Sequence, residues 1–318
     1  MIRVSCGTAM ELNILNGKLA IAPTTAYFMI GNKCNNKCAF CSQSIESTSR
    51  KDKLSRVLWP EFEKKEILNA LLNYKKNNIK RICLQVMGSN ESLKETIDFI
   101  KYIKLNLNIP ISVSAKIENE ENLKKLFDIG VNKIGIAIDG ANKEVYEKVK
   151  GDDFEQKIKF IKDMGNKYTD KITTHIIVGL GETHEDIFIL YEDLIKNNVT
   201  VSLFAFTPVR GTKLEKHEPP SIESYRRVQL MTYLIKKGYT KDKFKFENGY
   251  LTYISPIDIS IYEEIKMGMP FKISGCKYCN RPYYNERPGG TIYNYSRSLN
   301  REECSNAILE LNMELKEY

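Results

Sequence analysis

The sequence predicts an α/β protein made of parallel strand–helix units. Three observations carry that prediction. Short apolar runs of strand type recur along the chain, and each is followed by a stretch with helical spacing. Six such units follow one another between residues 26 and 237. Turn formers such as Gly88-Ser89-Asn90 and Gly130 stand at the joins. Strands alternating with helices of this length imply parallel βαβ units. Right-handed crossovers then give an open doubly wound sheet or a barrel. Both folds put chemistry at the C-terminal ends of their strands.

Residues 1–24 read as a mixed lead-in, with Cys6 as a structural thiol and Pro23 near its end. Ala26-Tyr27-Phe28-Met29-Ile30 is the first strand, broken by Gly31 and Asn32. Trp59-Pro60 opens the first helix, because proline fits a first helical turn, where its missing N–H is not needed. Leu68, Leu71, Leu72 and Tyr74 supply that helix's apolar side. Residues 81–86 form a buried strand with Cys83 as a core residue, and a helix runs from about 91 to 105. Strand 111–114, helix 119–128, strand 133–138 and helices near 142–149 and 153–164 come next. Strand 172–178, helix 184–196 and strand 200–206 follow. Pro219-Pro220-Ser221 caps a helix to about Lys237. A strand near 243–254 and a helix near 258–267 extend the series towards eight units. Residues 270–300 keep neither period and are rich in turn formers and aromatics. Asn300 and Glu303 open a last helix with a capping-box pattern.

Composition narrows the function. At 318 residues the chain holds one large domain or two smaller ones, and 42% hydrophobic residues suffice for a sizeable core. The formal charge of +8 describes a solvated surface, or a basic face that steers an acidic partner. No run of basic and aromatic residues forms a nucleic-acid footprint. The first apolar stretch is broken by Asn13 and Asn16, so neither a secretory leader nor a membrane span is expected, and the expected location is cytoplasmic. Eight cysteines then argue for metal or redox chemistry rather than disulfides.

Cys34, Cys38 and Cys41 stand on the loop after the first strand, at spacings of four and three, with Phe40 beside the last. Thiolates so spaced bind soft metals, above all iron–sulfur clusters and zinc. A structural zinc wants four ligands. A cubane held by three leaves one iron open to a small molecule.

This motif resembles that of the radical S-adenosylmethionine enzymes. There the open iron holds the amino and carboxylate groups of S-adenosylmethionine, and an electron from the cluster yields a 5′-deoxyadenosyl radical that abstracts hydrogen. The resemblance implies a TIM-like (β/α) barrel, partial or full, over residues 25–269, with a loop-rich cluster-binding segment at 270–318. It implies a 4Fe–4S cluster at Cys34, Cys38 and Cys41. Met87-Gly88-Ser89 stands where many members carry Gly-Gly-Glu, so Gly88 and Ser89 contact the cofactor's amino group or form an ordinary turn. Asp139 resembles the acidic strand-end residue of biotin synthase that accepts from ribose hydroxyls; the alternative is a capping turn with Gly140. The stretch 175–182 resembles the adenine-packing strand, with Gly179 close to the ring and His175 lining the barrel; the alternative is a strand-end turn with Glu182 opening a helix. Residues 206–214 resemble a Thr-Pro-x-x-Gly-Thr-x-Leu loop of the same relatives. Its Arg210 pairs with a carboxylate or is a solvated loop arginine.

A second group, Cys276 and Cys279 with Cys304 downstream, admits two readings. One is a structural zinc knuckle with Cys6 as fourth ligand. The other is an auxiliary iron–sulfur cluster, which biotin synthase and lipoyl synthase use as the sulfur source; Ser298 and Cys6 are then candidates for its fourth ligand. Residues 3–9, residues 54–60 and the block from Cys279 to Gly290 resemble the biotin-synthase-related subunits of the split, two-protein lipoyl synthase. The likeness departs from ordinary lipoyl synthase, whose auxiliary cysteines precede the radical motif, and from biotin synthase, whose auxiliary ligands lie on barrel strands. It implies sulfur insertion into an octanoyl chain on a lipoyl carrier protein or domain. It also implies a second lipoyl synthase subunit and an electron donor of ferredoxin or flavodoxin type. Two rivals stand beside it. One is a biotin-type or other radical enzyme with a structural second cluster. The other is a non-catalytic zinc-binding protein.

Overall fold

The computed structural model describes residues 1–32, 34–286 and 289–318; Arg287 and Pro288 of the C-terminal block lie outside the described residues. Six parallel strands form the frame: β2 (Thr25–Ile30), β6 (Arg81–Val86), β7 (Ile111–Ser114), β8 (Lys133–Gly135), β9 (Ile172–Val178) and β10 (Thr200–Ala205). They lie side by side in chain order. The intervening helices are α2 (Lys64–Leu72), α3 (Asn90–Lys104), α4 (Glu120–Asp128), α5 (Lys143–Lys150), α6 (Phe154–Lys167) and α7 (His184–Lys196), with α8 (Ile222–Lys236) after β10. The sheet ends at β10 on one side, so the barrel is partial rather than closed among the described residues.

Three expectations are corrected. The lead-in joins the sheet: β1 (Ile2–Val4), followed by α1 (Cys6–Glu11), pairs antiparallel with β2. Pro60 does not open a helix. Glu61–Phe62 forms β5 on the far side of β1, and α2 begins at Lys64. Between them sits a small hairpin, β3 (Lys53–Leu54) with β4 (Val57–Leu58). The chain after α8 adds no barrel unit either. β11 (Phe244–Glu247) and β12 (Tyr250–Ile254) form a separate antiparallel pair, because a tight turn at Asn248-Gly249 folds one back on the other. α9 (Ile259–Lys266) and α10 (Arg301–Leu309) complete the chain.

The strands follow the period-two rule of a pleated sheet. Ile82, Leu84 and Val86 of β6 enter the helix-facing core, as do Ala26, Phe28 and Ile30 of β2. Arg81, Cys83 and Gln85 therefore face the inside of the curl. Helix starts are set by side-chain caps at Ser89, Asn119, Asn142, Asp153, Thr183, Ser221 and Asn300. Each cap contributes about 1 kcal/mol.

Segment 274–286 crosses the inside of the curl and joins the first and last parallel strands. Thr25 Oγ1 of β2 donates to Tyr278 O at 2.6 Å, and the Arg281 amide donates to the Tyr27 hydroxyl at 3.1 Å. On the far end, Leu203 N donates to Ser274 Oγ at 2.9 Å and Asn285 Nδ2 donates to Ala205 O at 2.8 Å. The Arg281 guanidinium lies 3.7 Å from the Phe204 ring centre on β10. One residue thus touches β2 and β10, the first and last parallel strands.

Candidate metal centre

The cysteine loop leaves β2 at the C-terminal edge of the sheet and is held on every side. Arg3, nearly buried, donates to Gly31 O, to Lys51 O and, at 3.0 Å, to Gln43 Oε1. Ala39 N donates to Val149 O at 2.8 Å, and Leu214 N donates to Ala39 O at 3.1 Å. The 207–214 loop clamps the far side: Thr48 N donates to Gly211 O at 2.9 Å, and Lys213 pairs with Glu46 at 2.7 Å. Sequence reading placed Arg3 only at the head of the 3–9 stretch and missed it as an anchor, because its partners lie far along the chain.

Cys34 and Cys38 are buried and Cys41 is half-buried. Burial, then the neighbouring Cys38, pushes the Cys41 thiol up to about 12. Gly88 N donates to Cys34 Sγ at 3.3 Å, and Gln43 N donates to Cys41 Sγ at 3.4 Å. Three soft donors on one loop, two already accepting backbone N–H bonds, fit an iron–sulfur cluster, whose potential such bonds tune. Among the described residues no three Cys, His, Asp or Glu side chains close on a single ion. Zinc holds sulfur at about 2.3 Å, so its ligand sulfurs stand within about 4 Å of one another.

The other sequence-predicted residues fall around this loop, with varied roles. Gly88 lies under it; a Cβ there would sit 2.8 Å from Asn36 Nδ2 and 3.1 Å from Cys34 Sγ. Ser89 is the N-cap of α3, its side chain accepting from Ser92 N. Phe40 packs with Ile177, Leu180 and Phe206, which makes an apolar wall beside the cysteines. Gly179 is left-handed at φ 101°, but its open side is filled by Pro220, and Glu182 accepts from its amide at 2.6 Å. Arg210 is exposed; the loop uses its carbonyl, which accepts from Ser49 Oγ.

Asp139 is buried at the end of the fourth parallel strand's run, at φ 60°. Burial alone would raise its carboxyl, but Lys150 and His175 outweigh it and hold it below the usual carboxylate range. Lys150 donates to Oδ2. His175 Nε2 lies 2.7 Å from Oδ1 without an aligned hydrogen bond, so that oxygen keeps acceptor capacity. A cavity of about 140 Å³ opens nearby, lined among others by Asn36, Gln85, Ser114, Lys116, Tyr146 and Lys150. It is basic, and suits a ligand with a carboxylate and hydroxyls.

The second cysteine group is divided. Cys276 and Cys279 stand inside the curl, on segment 274–286. Cys304 does not join them: it lies on α10, and the Cβ position of Gly268 is 3.2 Å from its sulfur, with Leu299 alongside. Cys6 lies at the start of α1, and Ser298 is exposed beside the Arg297–Glu303 ion pair. Cys83, expected in the core, instead faces the interior with Gln85 Nε2 donating to its sulfur at 3.2 Å. The alternation Ile82, Leu84, Val86 was the signal for that orientation. Tyr284 lies on segment 274–286, its ring edge to face with Phe204. Burial raises its hydroxyl, followed by Cys41, with Asp139 and Cys83 also acting on it.

A curled parallel sheet with three thiols on the loop after its first parallel strand defines a class of cluster-binding α/β proteins. The family model of the Radical SAM superfamily matches residues 28–194, and the chain belongs to that superfamily. Membership implies a 4Fe–4S cluster and S-adenosylmethionine. The chain is 28% identical to an uncharacterized protein of Methanocaldococcus jannaschii over 66% of its length and 56% of that protein's. It is 29% identical to biotin synthase of Methanococcus aeolicus, covering 57% of this chain and 54% of the enzyme. It thus spans little more than half the length of the curated relatives it matches. Among solved structures, the FeFe-hydrogenase maturase HydG from Carboxydothermus hydrogenoformans superposes with a TM-score of 0.53 at 19% identity, over 68% of this chain and 52% of that one. Methylornithine synthase superposes with a TM-score of 0.50 at 18% identity, over 71% and 67%. These likenesses show the fold. No helix among the described residues is long and apolar enough to cross a membrane.

Proposed function

We propose that this chain inserts sulfur into an unactivated C–H bond of a protein-bound octanoyl chain, as lipoyl synthases do. The observation that carries the reading is the placement of Cys276 and Cys279 inside the same curl whose rim bears Cys34, Cys38 and Cys41. Along β6, Cys83 to Val86 is three residues, about 10 Å, and the rim lies beyond Val86. A slender acyl chain fits between two such levels.

The rim cysteines would hold the cluster that, with S-adenosylmethionine bound, supplies the radical chemistry an unactivated C–H bond requires. Cys276 and Cys279 would hold the sulfur source. The protein's own residues orient and exclude. Asp139 would help hold the cofactor through the free acceptor capacity of Oδ1, with Gly88 and Ser89 contributing beside it. Phe40 would supply an apolar wall for the cofactor, Gly179 being covered by Pro220, and the exposed Arg210 would pair with a carboxylate from outside. Tyr284 and Phe204, which stack edge to face at 5.4 Å, wall the interior against water. The partners in this reading are an octanoylated lipoyl carrier protein or domain, a second lipoyl synthase subunit, and a ferredoxin- or flavodoxin-type electron donor. The location is cytoplasmic.

The likeness to biotin synthase favours a second reading, a biotin-type substrate on the same machinery. Mass spectrometry of an octanoylated carrier domain after anaerobic single turnover separates them. A gain of one sulfur atom on the acyl chain is expected. An unchanged acyl chain alongside free 5′-deoxyadenosine, with the partner subunit present, overturns the lipoyl reading.

A further inference from the structure

We propose that Cys83, not Cys304, is the third soft ligand of the site that Cys276 and Cys279 begin. The inference rests on the reading that an auxiliary cluster is present, and it names that cluster's missing donor.

Sheet register places Cys83. Tyr27 of β2 pairs with Cys83 of β6, and Cys83 pairs with Ser112 of β7. Partners in a parallel ladder share a face, so the three side chains stand in a row on the inner surface, strands about 4.8 Å apart. Cys279 Sγ is 3.5 Å from the Tyr27 hydroxyl, at one end of the row. Cys276, its thiol raised chiefly by burial, lies near enough to Ser112, at the other end, for that hydroxyl to act on it. Cys83 is the residue between them. After burial, the thiols that most raise the Cys83 thiol are Cys279 and Cys276.

The surroundings suit a thiolate-bound cluster. Gln85 donates to the Cys83 sulfur, and the Arg81 guanidinium is fixed on the same face by Ser112 at 2.8 Å and by Lys277 O at 3.3 Å. N–H donors and positive charge near sulfur stabilise such a group. The loop that brings the two cysteines is held in unfavourable backbone. Tyr278, Arg281 and Tyr283 have φ of 69°, 32° and 57°. Strain of this kind persists where surrounding structure over-determines a site. Cys304 has none of these neighbours; after burial, the charged group that raises its thiol is Glu303.

The test is iron and acid-labile sulfide per full-length chain after anaerobic reconstitution, with Mössbauer spectra, on five proteins. Wild type should hold about eight irons, as two cubanes. Cys276→Ala/Cys279→Ala and Cys83→Ala should each hold about four, and Cys304→Ala about eight. Cys83→Val preserves strand propensity should the alanine variant fold poorly. An S-adenosylmethionine-dependent change in the electron paramagnetic resonance of the remaining cluster reports an intact rim. Eight irons in both Cys83 variants with four in Cys304→Ala overturns the inference and leaves the auxiliary-cluster reading standing. Full iron in Cys276→Ala/Cys279→Ala overturns both.

Discussion

Gly88 shows how tightly a single position is held. There is no room for a methyl group between it, Asn36 and Cys34. Gly88→Ala should displace the Cys34 sulfur and lower the iron bound at the rim, read as loss of visible cluster absorbance with unchanged far-ultraviolet circular dichroism. Asp139 offers a sharper case. Its carboxylate and Lys150 are both largely buried. Asp139→Asn leaves a buried ammonium with no counter-charge, at a cost of about 3–5 kcal/mol. Asp139→Asn/Lys150→Met should recover much of that in urea denaturation. Equal midpoints for the single and double variants would show that the pair carries no such coupling. Asp139 was legible from the sequence because it ends a strand run. Its pairing with Lys150, eleven residues on across a helix, was not: side-chain contacts of that kind have no period.

At the scale of elements, α7 is tied to the β11–β12 hairpin by a buried histidine. Leu251 N donates to His184 Nδ1 at 3.1 Å, so the proton sits on Nε2, which donates to Ser224 Oγ 2.7 Å away. Burial, then the nearby Arg227, lowers its pKa from 6.5 to about 4. The unfolded chain takes up a proton as pH falls through 6.5, while the folded chain resists until about 4. Stability is therefore present above 6.5 and lost towards 4, on the order of 3 kcal/mol. The slope of unfolding midpoint against pH between 6.5 and 4 should flatten in His184→Gln; an unchanged slope would assign the acid lability to other groups. The parallel units were readable because each repeats one pattern, an apolar strand and then a capped amphipathic helix. β1 and β5 were not, since strands of three and two residues are too short to show alternation. Pro60 misled for a related reason: proline suits an edge strand as well as a first helical turn.

For the whole molecule, the sheet is curled but, among the described residues, its first and last parallel strands do not pair, and segment 274–286 joins them. Arg281 is the main tie, joining Tyr27, Leu203 and Ser274. Arg281→Ala should lower the unfolding temperature and expose Cys276, Cys279 and Cys83 to a thiol reagent sooner than Cys34. Uniform labelling of all four would place the segment outside the cooperative frame. Nothing in residues 270–300 announced this role, because a strand-to-strand tie made of single hydrogen bonds leaves no repeat to read.

Thr24 N donates to Asn280 Oδ1, 256 residues further along the chain. Contacts this distant in sequence form late and slowly. On a ribosome the six parallel strands and the rim cysteines emerge long before the segment that fills them. Assembly is therefore ordered in time. The rim loop is free to take up iron while the interior is still an open cleft, and the inner cysteines are presented only as the cleft is sealed. In the proposed reading with an auxiliary cluster, a cell must supply iron and sulfide to this protein twice, or wait.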